Sequence, residues 1–314
     1  MLDGKVKKLS IVIVTYNSGA LIEGCLNSIF IHNDIDTALE VIVVDNDSAD
    51  YATTFASIEK KYGESVTLIR NVENGGYGQG NNIGIKAASA PIVLIMNPDV
   101  TLFAPVFRKA LLQFRDIKLG ILGMQQYEKV GMRRQSFLPL HPSIIGLLLY
   151  KLYTWCHCYS SRFFCIHGSC FFIRKEAMEN IGGFDENIFL YNEEMDIHYR
   201  LLQQKKYIIK YDKTLSYIHP MHNRKENLKE LKQRFSTYMY VCKKMSLSSR
   251  TMICKYINLY RLYLFRSFLK HDTDICNTYS TFILYLLRQK KLQSRRKSLL
   301  LSLLILLLII FRNV

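Results

Sequence analysis

The chain lacks the paired Cys-x-x-Cys spacing of a structural zinc site. Its eight cysteines, at positions 25, 156, 158, 165, 170, 242, 254 and 276, are scattered, and in a reducing compartment such cysteines act as small buried hydrophobes. Cys156-His157-Cys158 and nearby Cys165 do not alter that reading. No Gly-Lys-Ser or Gly-Lys-Thr closes a glycine-rich loop, which excludes a P-loop. No apolar leader opens the chain, because Met1 to Lys8 are mostly polar or basic and the first apolar run already reads as a strand, so no signal peptide is expected. Acidic residues are scarce in the last third: residues 201–314 hold 5 Asp+Glu against 23 Lys+Arg, whereas residues 1–200 hold 21 against 19. The net charge of +16 therefore arises entirely from that last third.

What the chain has in abundance is strand. Ser10-Ile11-Val12-Ile13-Val14 runs into Thr15-Tyr16-Asn17, and Glu40 to Val44 runs into Asp45-Asn46-Asp47-Ser48. Val66 to Ile69 leads into Arg70-Asn71-Val72-Glu73-Asn74, and Pro91 to Met96 ends in Asn97-Pro98-Asp99. Continuous β-branched runs separated by helix-length stretches predict an α/β fold whose central parallel sheet is covered on both faces. Ligands of such sheets bind beyond the carboxyl ends of the strands, so the four polar clusters are expected to outline one pocket.

A basic tail meets nucleic acid or an anionic membrane surface. Here the cations are interleaved with Leu, Ile, Phe and Tyr, as in Tyr256 to Arg266, which favours membrane and speaks against nucleic acid. Arg288 to Lys291 and Arg295 to Lys297 precede an uncharged run from Ser298 to Phe311. As a helix that run would be about 21 Å long, against a hydrocarbon core of roughly 30 Å. The expectation is an interfacial anchor at a cytoplasmic leaflet, with a buried terminal helix as the alternative.

Gly75-Gly76-Tyr77-Gly78-Gln79-Gly80 follows the third strand rather than the first and has the wrong spacing for a dinucleotide fingerprint. With Asn74, Asn81 and Asn82 around it, the run suggests backbone lying close to a ligand ahead of a helix starting near Asn81. Further on, His167-Gly168-Ser169 is a small-residue turn before a strand, and Ile181 to Glu186 forms a loop. Tyr191-Asn192-Glu193-Glu194-Met195-Asp196 then enters a helix. Helix capping accounts for one acid there, whereas three acids beside an apolar strand should repel and raise at least one pKa.

Taken together, Thr15-Tyr16-Asn17, Val44 to Ser48, Asn74 to Asn82, Asn97-Pro98-Asp99, Gly182 to Glu186 and Tyr191 to Asp196 resemble, in order and spacing, the family 2 glycosyltransferases. The similarity is strongest to the rhamnosyltransferase-like branch that builds bacterial O-antigens and capsules. It covers roughly residues 9–225, and Ile218-His219-Pro220-Met221-His222 is similar to the histidine motif that closes the catalytic domain. The resemblance implies a GT-A fold over residues 1–240, with a nucleotide-binding half to about 105 and an acceptor half from 106. Residues 241–314 then form a helical, basic and apolar extension.

The resemblance also implies roles. Thr15, Tyr16 and Asn17 lie at the nucleotide base, and Asp45 with Asn46 serves the base or ribose. Asn74, Gly76 and Asn81 belong to the nucleotide-sugar site, and so do Asn97 and Asp99. In place of the family's Asp-x-Asp the chain has Asn97-Pro98-Asp99, which leaves Asp99 as the strong metal ligand, with His219 completing the shell for Mn²⁺ or Mg²⁺. His222 is assigned a phosphate contact or a structural role. Glu194 matches the catalytic base, Asp196 is the second candidate, and a single base on the far face implies inversion. The donor expected is dTDP-rhamnose, or else a UDP-linked hexose or galactofuranose, and the acceptor a polyprenyl-diphosphate-linked saccharide. Leu140 to Phe164, rich in Leu and Tyr and holding Trp155, reads as an acceptor or membrane-facing lid or a plain core helix. A non-catalytic nucleotide-sugar or carbohydrate-binding protein is the rival reading, supported by Asn97 and Glu194. A nucleotidyltransferase would need a cation in the loop after the first strand, and Thr15 to Gly19 offers none.

Overall fold

The computed structural model describes residues 6–134, 136–220 and 226–291. The four apolar runs form β1 (Leu9–Thr15), β2 (Leu39–Asn46), β3 (Thr67–Asn71) and β4 (Ile92–Met96). They pair in parallel in the order β4-β1-β2-β3. Helices α1 (Gly19–Ile31), α2 (Tyr51–Tyr62) and α3 (Tyr77–Ala87) fill the crossovers.

Alternate residues of one strand feed two cores, because strand side chains point to opposite faces. Leu9, Ile11 and Ile13 pack with Ile22, Leu26 and Ile29 of α1, while Val12, Ile42 and Val44 pack with Ile85 of α3. Burial on both faces is why these strands lack a polar stripe. The chain steps from β1 to β2 to β3 in one direction and then places β4 on the other side of β1. The crevice between the diverging β1 and β4 ends is the natural ligand position of such a sheet.

The second half extends the same sheet. It comprises α4 (Phe107–Gln113), β5 (Leu119–Lys129), β6 (Met132–Arg133), β7 (Phe137–Pro139), α5 (Ile144–Trp155), β8 (Phe164–Ile166), β9 (Cys170–Arg174), α6 (Lys175–Asn180), α7 (Glu193–Gln203) and β10 (Ile208–Ile218). Strand β9 is antiparallel to both β4 and β5, β10 is parallel to β5, and β7 pairs with β8 in a small separate sheet. The sheet is therefore mixed but mostly parallel.

Helices α8 (Leu228–Lys244) and α9 (Ser249–Leu269) follow, and a further helix spans 273–291. The chain divides into two compact units, one of residues 1–140 and 152–222, the other of 141–151 and 223–314. Helix α8 belongs to the second unit. Its buried face, including Leu231, Phe235 and Tyr238, packs with Tyr256 of α9 and Phe282, so aromatic burial ties α8 to the later helices. No helix among the described residues is long and apolar enough to cross a membrane. The expected anchor, Ser298 to Phe311, and His222 lie outside the described residues.

Helix α3 begins at Tyr77, four residues earlier than expected, and its glycines have a packing cause. A Cβ on Gly80 would lie 2.7 Å from Val14 Cγ1, and one on Gly84 would lie 2.3 Å from Val12 Cγ1. Gly76 has φ +93°, and a Cβ there would sit 2.2 Å from the Phe189 carbonyl oxygen. The glycine run thus lets α3 lie close on β1 and lets the chain before α7 cross it, so a close ligand is not needed to explain it. Gly76→Ala is expected to cost more than about 1 kcal/mol, from left-handed strain and the backbone collision together. Urea unfolding measures this, and an unchanged midpoint would show that the crossing is not tight.

Candidate active site

The β1 and β2 ends are stitched together by side chains. Asp45 is 1% exposed; its Oδ2 accepts from Thr15 Oγ1 at 3.1 Å and its Oδ1 from the Ser48 amide at 2.9 Å. Asn17, at φ 48°, accepts from the Ala49 amide at 3.0 Å, while its own amide donates to Ser48 Oγ at 2.8 Å. Tyr16 stands exposed at the rim. Asn46 donates to Asn74 Oδ1 at 2.9 Å and to the Gly76 carbonyl at 3.1 Å. Thr15, Asn17, Asp45, Asn46, Asn74 and Gly76 therefore share one edge of the sheet. Asn81 turns into its own helix, donating to the Tyr77 carbonyl at 2.9 Å, and its Oδ1 is buried without a hydrogen bond.

The second cluster is built by strand pairing across the chain. The register of β9 against β4 sets Met96 opposite Cys170, and the Asn97 amide donates to the Ser169 carbonyl at 2.8 Å. Beyond β4, Thr101 and Ile218 exchange backbone hydrogen bonds of 2.9 and 2.8 Å. That bridge sets the end of β10 beside the Asn97-Pro98-Asp99 turn and puts His219 Nε2 3.3 Å from Asp99 Oδ2. His167 completes the group, its ring 5.9 Å from the His219 ring. Burial, with the His219 charge beside it, pushes the His167 pKa down to about 4, although Asp99 pulls the other way. Asn97 Oδ1 is buried with no hydrogen-bond partner.

The third cluster enters from α7. Two successive non-glycine residues, Tyr191 and Asn192, have φ of 75° and 69°. Such strained turns gather at functional sites, and this one delivers Glu193 and Glu194 into the first turn of α7. Glu194 comes up beneath the His167-Gly168-Ser169 turn, its Oε2 3.7 Å from where a Gly168 Cβ would stand. The Tyr77 hydroxyl donates to the Gly168 carbonyl at 2.7 Å, tying the turn to α3. Burial raises the Glu194 pKa, and burial together with the Glu194 charge raises that of Glu193.

Asp196 has a different setting. It is fully buried; its Oδ2 accepts from Arg200 Nε at 2.7 Å and forms an ion pair with Nη2 at 2.6 Å. Arg200 Nη1 donates in turn to the Ile181 and Gly183 carbonyls at 2.5 and 2.7 Å. This charge pair clamps α7 to the Gly182-Gly183 turn, which Asn82 locks from the other side through the Phe184 amide and carbonyl at 2.8 and 3.0 Å. Of the three expected acids, two have raised pKa values and the third has an arginine.

Reading of the sequence missed the floor of the site. Ser169 Oγ lies 2.9 Å from both His167 Nδ1 and the Tyr217 hydroxyl, and Tyr217 lies 3.1 Å from Gln126 Oε1. Gln126 and Tyr217 sit inside long strands, and nothing local distinguishes them from ordinary sheet residues.

Asp99 and His219 supply one carboxylate and one imidazole. No group of three or more His, Cys, Asp or Glu side chains able to hold a metal ion occurs among the described residues. Two protein ligands suit a cation whose remaining positions come from water and substrate phosphates, and the imidazole tilts the choice toward Mn²⁺ over Mg²⁺, which keeps oxygen ligands.

A mostly parallel α/β sheet with oxygen-rich strand ends and a carboxylate–histidine pair beyond β4 is the setting of a ligand site at a switch point. Residues 10–182 match the model of the family described as Glycosyl transferase family 2, and the chain belongs to that family. It is 27% identical over 206 residues to a low-salt glycan biosynthesis hexosyltransferase of Haloferax volcanii, a match covering 61% of each chain. The chain thus spans about three-fifths of that relative. It is 28% identical over 221 residues to an N-acetylglucosaminyl-diphospho-decaprenol L-rhamnosyltransferase of Mycobacterium tuberculosis, covering 62% of this chain and 70% of the relative. Among solved structures, the mannosyltransferase PcManGT of Pyrobaculum calidifontis, in complex with GDP-Man and Mn²⁺, superposes with TM-score 0.56 at 15% identity, over 90% of this chain and 86% of that one. TarS of S. aureus superposes with TM-score 0.53 at 17% identity, over 81% of this chain and 43% of that one. The fold is accordingly the GT-A fold, with a helical C-terminal region.

Proposed function

We propose that the protein transfers a sugar, with inversion, from a nucleoside-diphosphate sugar to a polyprenyl-diphosphate-linked saccharide during bacterial cell-surface polysaccharide synthesis of the O-antigen or capsule kind. The observation that carries the reading is the convergence of Asp99, His219 and Glu194 around the His167-Gly168-Ser169 turn at the carboxyl edge of the sheet. The edge formed by Thr15, Tyr16, Asn17, Asp45, Asn46 and Asn74 is assigned to the nucleotide, and Asn97 to the diphosphate sugar. The mycobacterial relative favours dTDP-rhamnose as the first donor to try and a lipid diphosphate as acceptor handle.

Asp99 and His219 are the residues that would hold Mn²⁺ or Mg²⁺. A divalent cation there neutralises the charge of a departing nucleoside diphosphate. Asn97, in place of a second carboxylate, leaves the site less anionic, which favours binding through substrate phosphates over a permanent metal. Glu194 takes the proton of the attacking acceptor hydroxyl, and its raised pKa suits that task once it is ionised. The Arg200–Asp196 clamp holds the helix that carries it. Attack from the side opposite the leaving group gives inversion.

Helix α5 supports an acceptor at a lipid surface. Ile145, Leu148, Leu152 and Trp155, at spacings of three and four residues, are 71%, 60%, 51% and 79% exposed, so one face of this helix offers an apolar stripe to its surroundings. Such a stripe marks an interaction surface. With the cationic last third, it fits peripheral attachment at the cytoplasmic face of the inner membrane, an anionic surface.

The test is calorimetry against a panel of nucleotide sugars with Mn²⁺ or Mg²⁺, followed by transfer of the bound donor to a synthetic polyprenyl-diphosphate saccharide. Binding with turnover is expected. Binding without transfer or hydrolysis of any donor would favour the non-catalytic binding protein.

A further inference from the structure

His198 lies one helical turn beyond Glu194 on α7, and both side chains line one small cavity. The remaining walls are Phe171 and the isoleucines of β5, β8, β10 and α7. The imidazole is 2% exposed, and its Nε2 lies 2.7 Å from the Ser161 carbonyl oxygen. A carbonyl can only accept, so Nε2 carries the proton and Nδ1 is a bare lone pair. Burial holds the ring neutral, with a pKa of about 4. Nδ1 has no hydrogen-bond partner.

An unmet acceptor in an apolar cavity is costly, so a donor that appears during the working cycle would explain it. The groups facing Glu194 do not already provide one. The Tyr77 hydroxyl on α3 is spent on Gly168, the Cys165 thiol on β8 is directed at the Leu138 carbonyl, and neighbouring Glu193 is not among the walls of this cavity. An ionised Glu194 offers only lone pairs, which His198 Nδ1 repels. A protonated Glu194 offers an O–H.

We propose that His198 is a positioning residue for the base: its Nδ1 accepts a hydrogen bond from the Glu194 carboxyl group once that group has taken the acceptor's proton. This rests on the transfer reading above. As the acceptor oxygen bonds to the anomeric carbon and the nucleoside diphosphate leaves with the bonding electron pair, the hydroxyl proton passes to Glu194. Donated toward Nδ1, it stays there until products depart and then returns to solvent. Because the bond exists only with the protonated acid, it stabilises a species formed along the reaction and not the resting enzyme, which is the kind of interaction that raises turnover.

The experiment uses the full chain and His198→Phe, with the fold of each checked by circular dichroism. Glu194 titration, followed by ¹³C NMR of labelled carboxyl groups, should move to lower pH by about one unit in the variant, a loss of roughly one hydrogen bond. The acid limb of kcat should move the same way, and kcat on its plateau should fall about tenfold with donor KM unchanged. Long-range ¹H–¹⁵N NMR of the wild type should find His198 protonated at Nε2 and bare at Nδ1, which is readable even if the variant fails to fold. The opposite tautomer, or a Glu194 titration unmoved in the variant, overturns the proposal. The two NMR readings need no donor, so an enzyme that transfers nothing would defeat the transfer reading while still deciding the role of His198.

Discussion

Glu194→Gln is expected to lower the rate of sugar transfer by about 10²- to 10⁴-fold, the usual contribution of a positioned general base, while leaving donor affinity unchanged. The amide keeps the size of the side chain but cannot take a proton. Glu194 lies beneath Gly168, and it takes no part in the hydrogen bonds of Thr15 and Asp45 at the edge proposed for the nucleotide. Its loss therefore affects attack and not donor grip. Labelled sugar incorporation beside nucleotide-sugar calorimetry separates the two, and full transfer by the variant would remove Glu194 from this role.

The pH dependence has a definite sign. Burial raises the Glu194 pKa, and the base works only when ionised, so the rate should climb with pH through a point above the ordinary carboxylate range. Stability runs the other way. Glu193 and Glu194 bind protons more tightly folded than unfolded, so their contribution is present below the usual carboxylate pKa and is lost as pH rises through the raised values. In Glu194→Gln part of that decline should vanish from urea midpoints measured across the same range.

Asp99→Ala is the second large effect expected: a fall in turnover on the order of 10²-fold or more, since neutralising a departing diphosphate is worth several kcal/mol. The truncation removes the carboxylate 3.3 Å from His219 Nε2 and leaves the imidazole alone of the two proposed ligands. Turnover of the wild type should stop on adding a chelator and return with Mn²⁺ or Mg²⁺. A chelator-indifferent wild type, or an Asp99→Ala variant at full rate, would refute the metal assignment. Because Asp99 holds no part of the Arg200 clamp, its variant should retain the fold, and thermal melting checks this.

Much of the first half was legible in the sequence. Its strands are buried on both faces, so their apolar runs are continuous, and each ends where backbone must turn and polar residues collect. Asp45, Asn46, Asn97 and Asp99 could be placed at strand ends on that ground alone. The glycines before and within α3 were visible, but their packing role was not. Their spacing reports how closely α3 lies on β1 and how Phe189 crosses Gly76, and such contacts have no local signature. The paired Glu193 and Glu194 were readable as perturbed acids, but the sequence could not show that Asp196 is neutralised by Arg200 one turn on.

The order of residues by itself determined a mostly parallel α/β sheet, the edge where its polar loops gather, the family, and a last third that is basic and apolar. Tertiary structure alone decided which loops meet. The pairing of β9 with β4 and the bridge from Thr101 to Ile218 bring His167 and His219 to Asp99 across gaps of 68 and 120 residues. The same folding buries His198, with a bare nitrogen, in the cavity that Glu194 also lines. Strand ends announce themselves because backbone geometry acts over a few residues. Partnership across a sheet depends on register and on desolvation by distant side chains, which no short stretch of chain encodes.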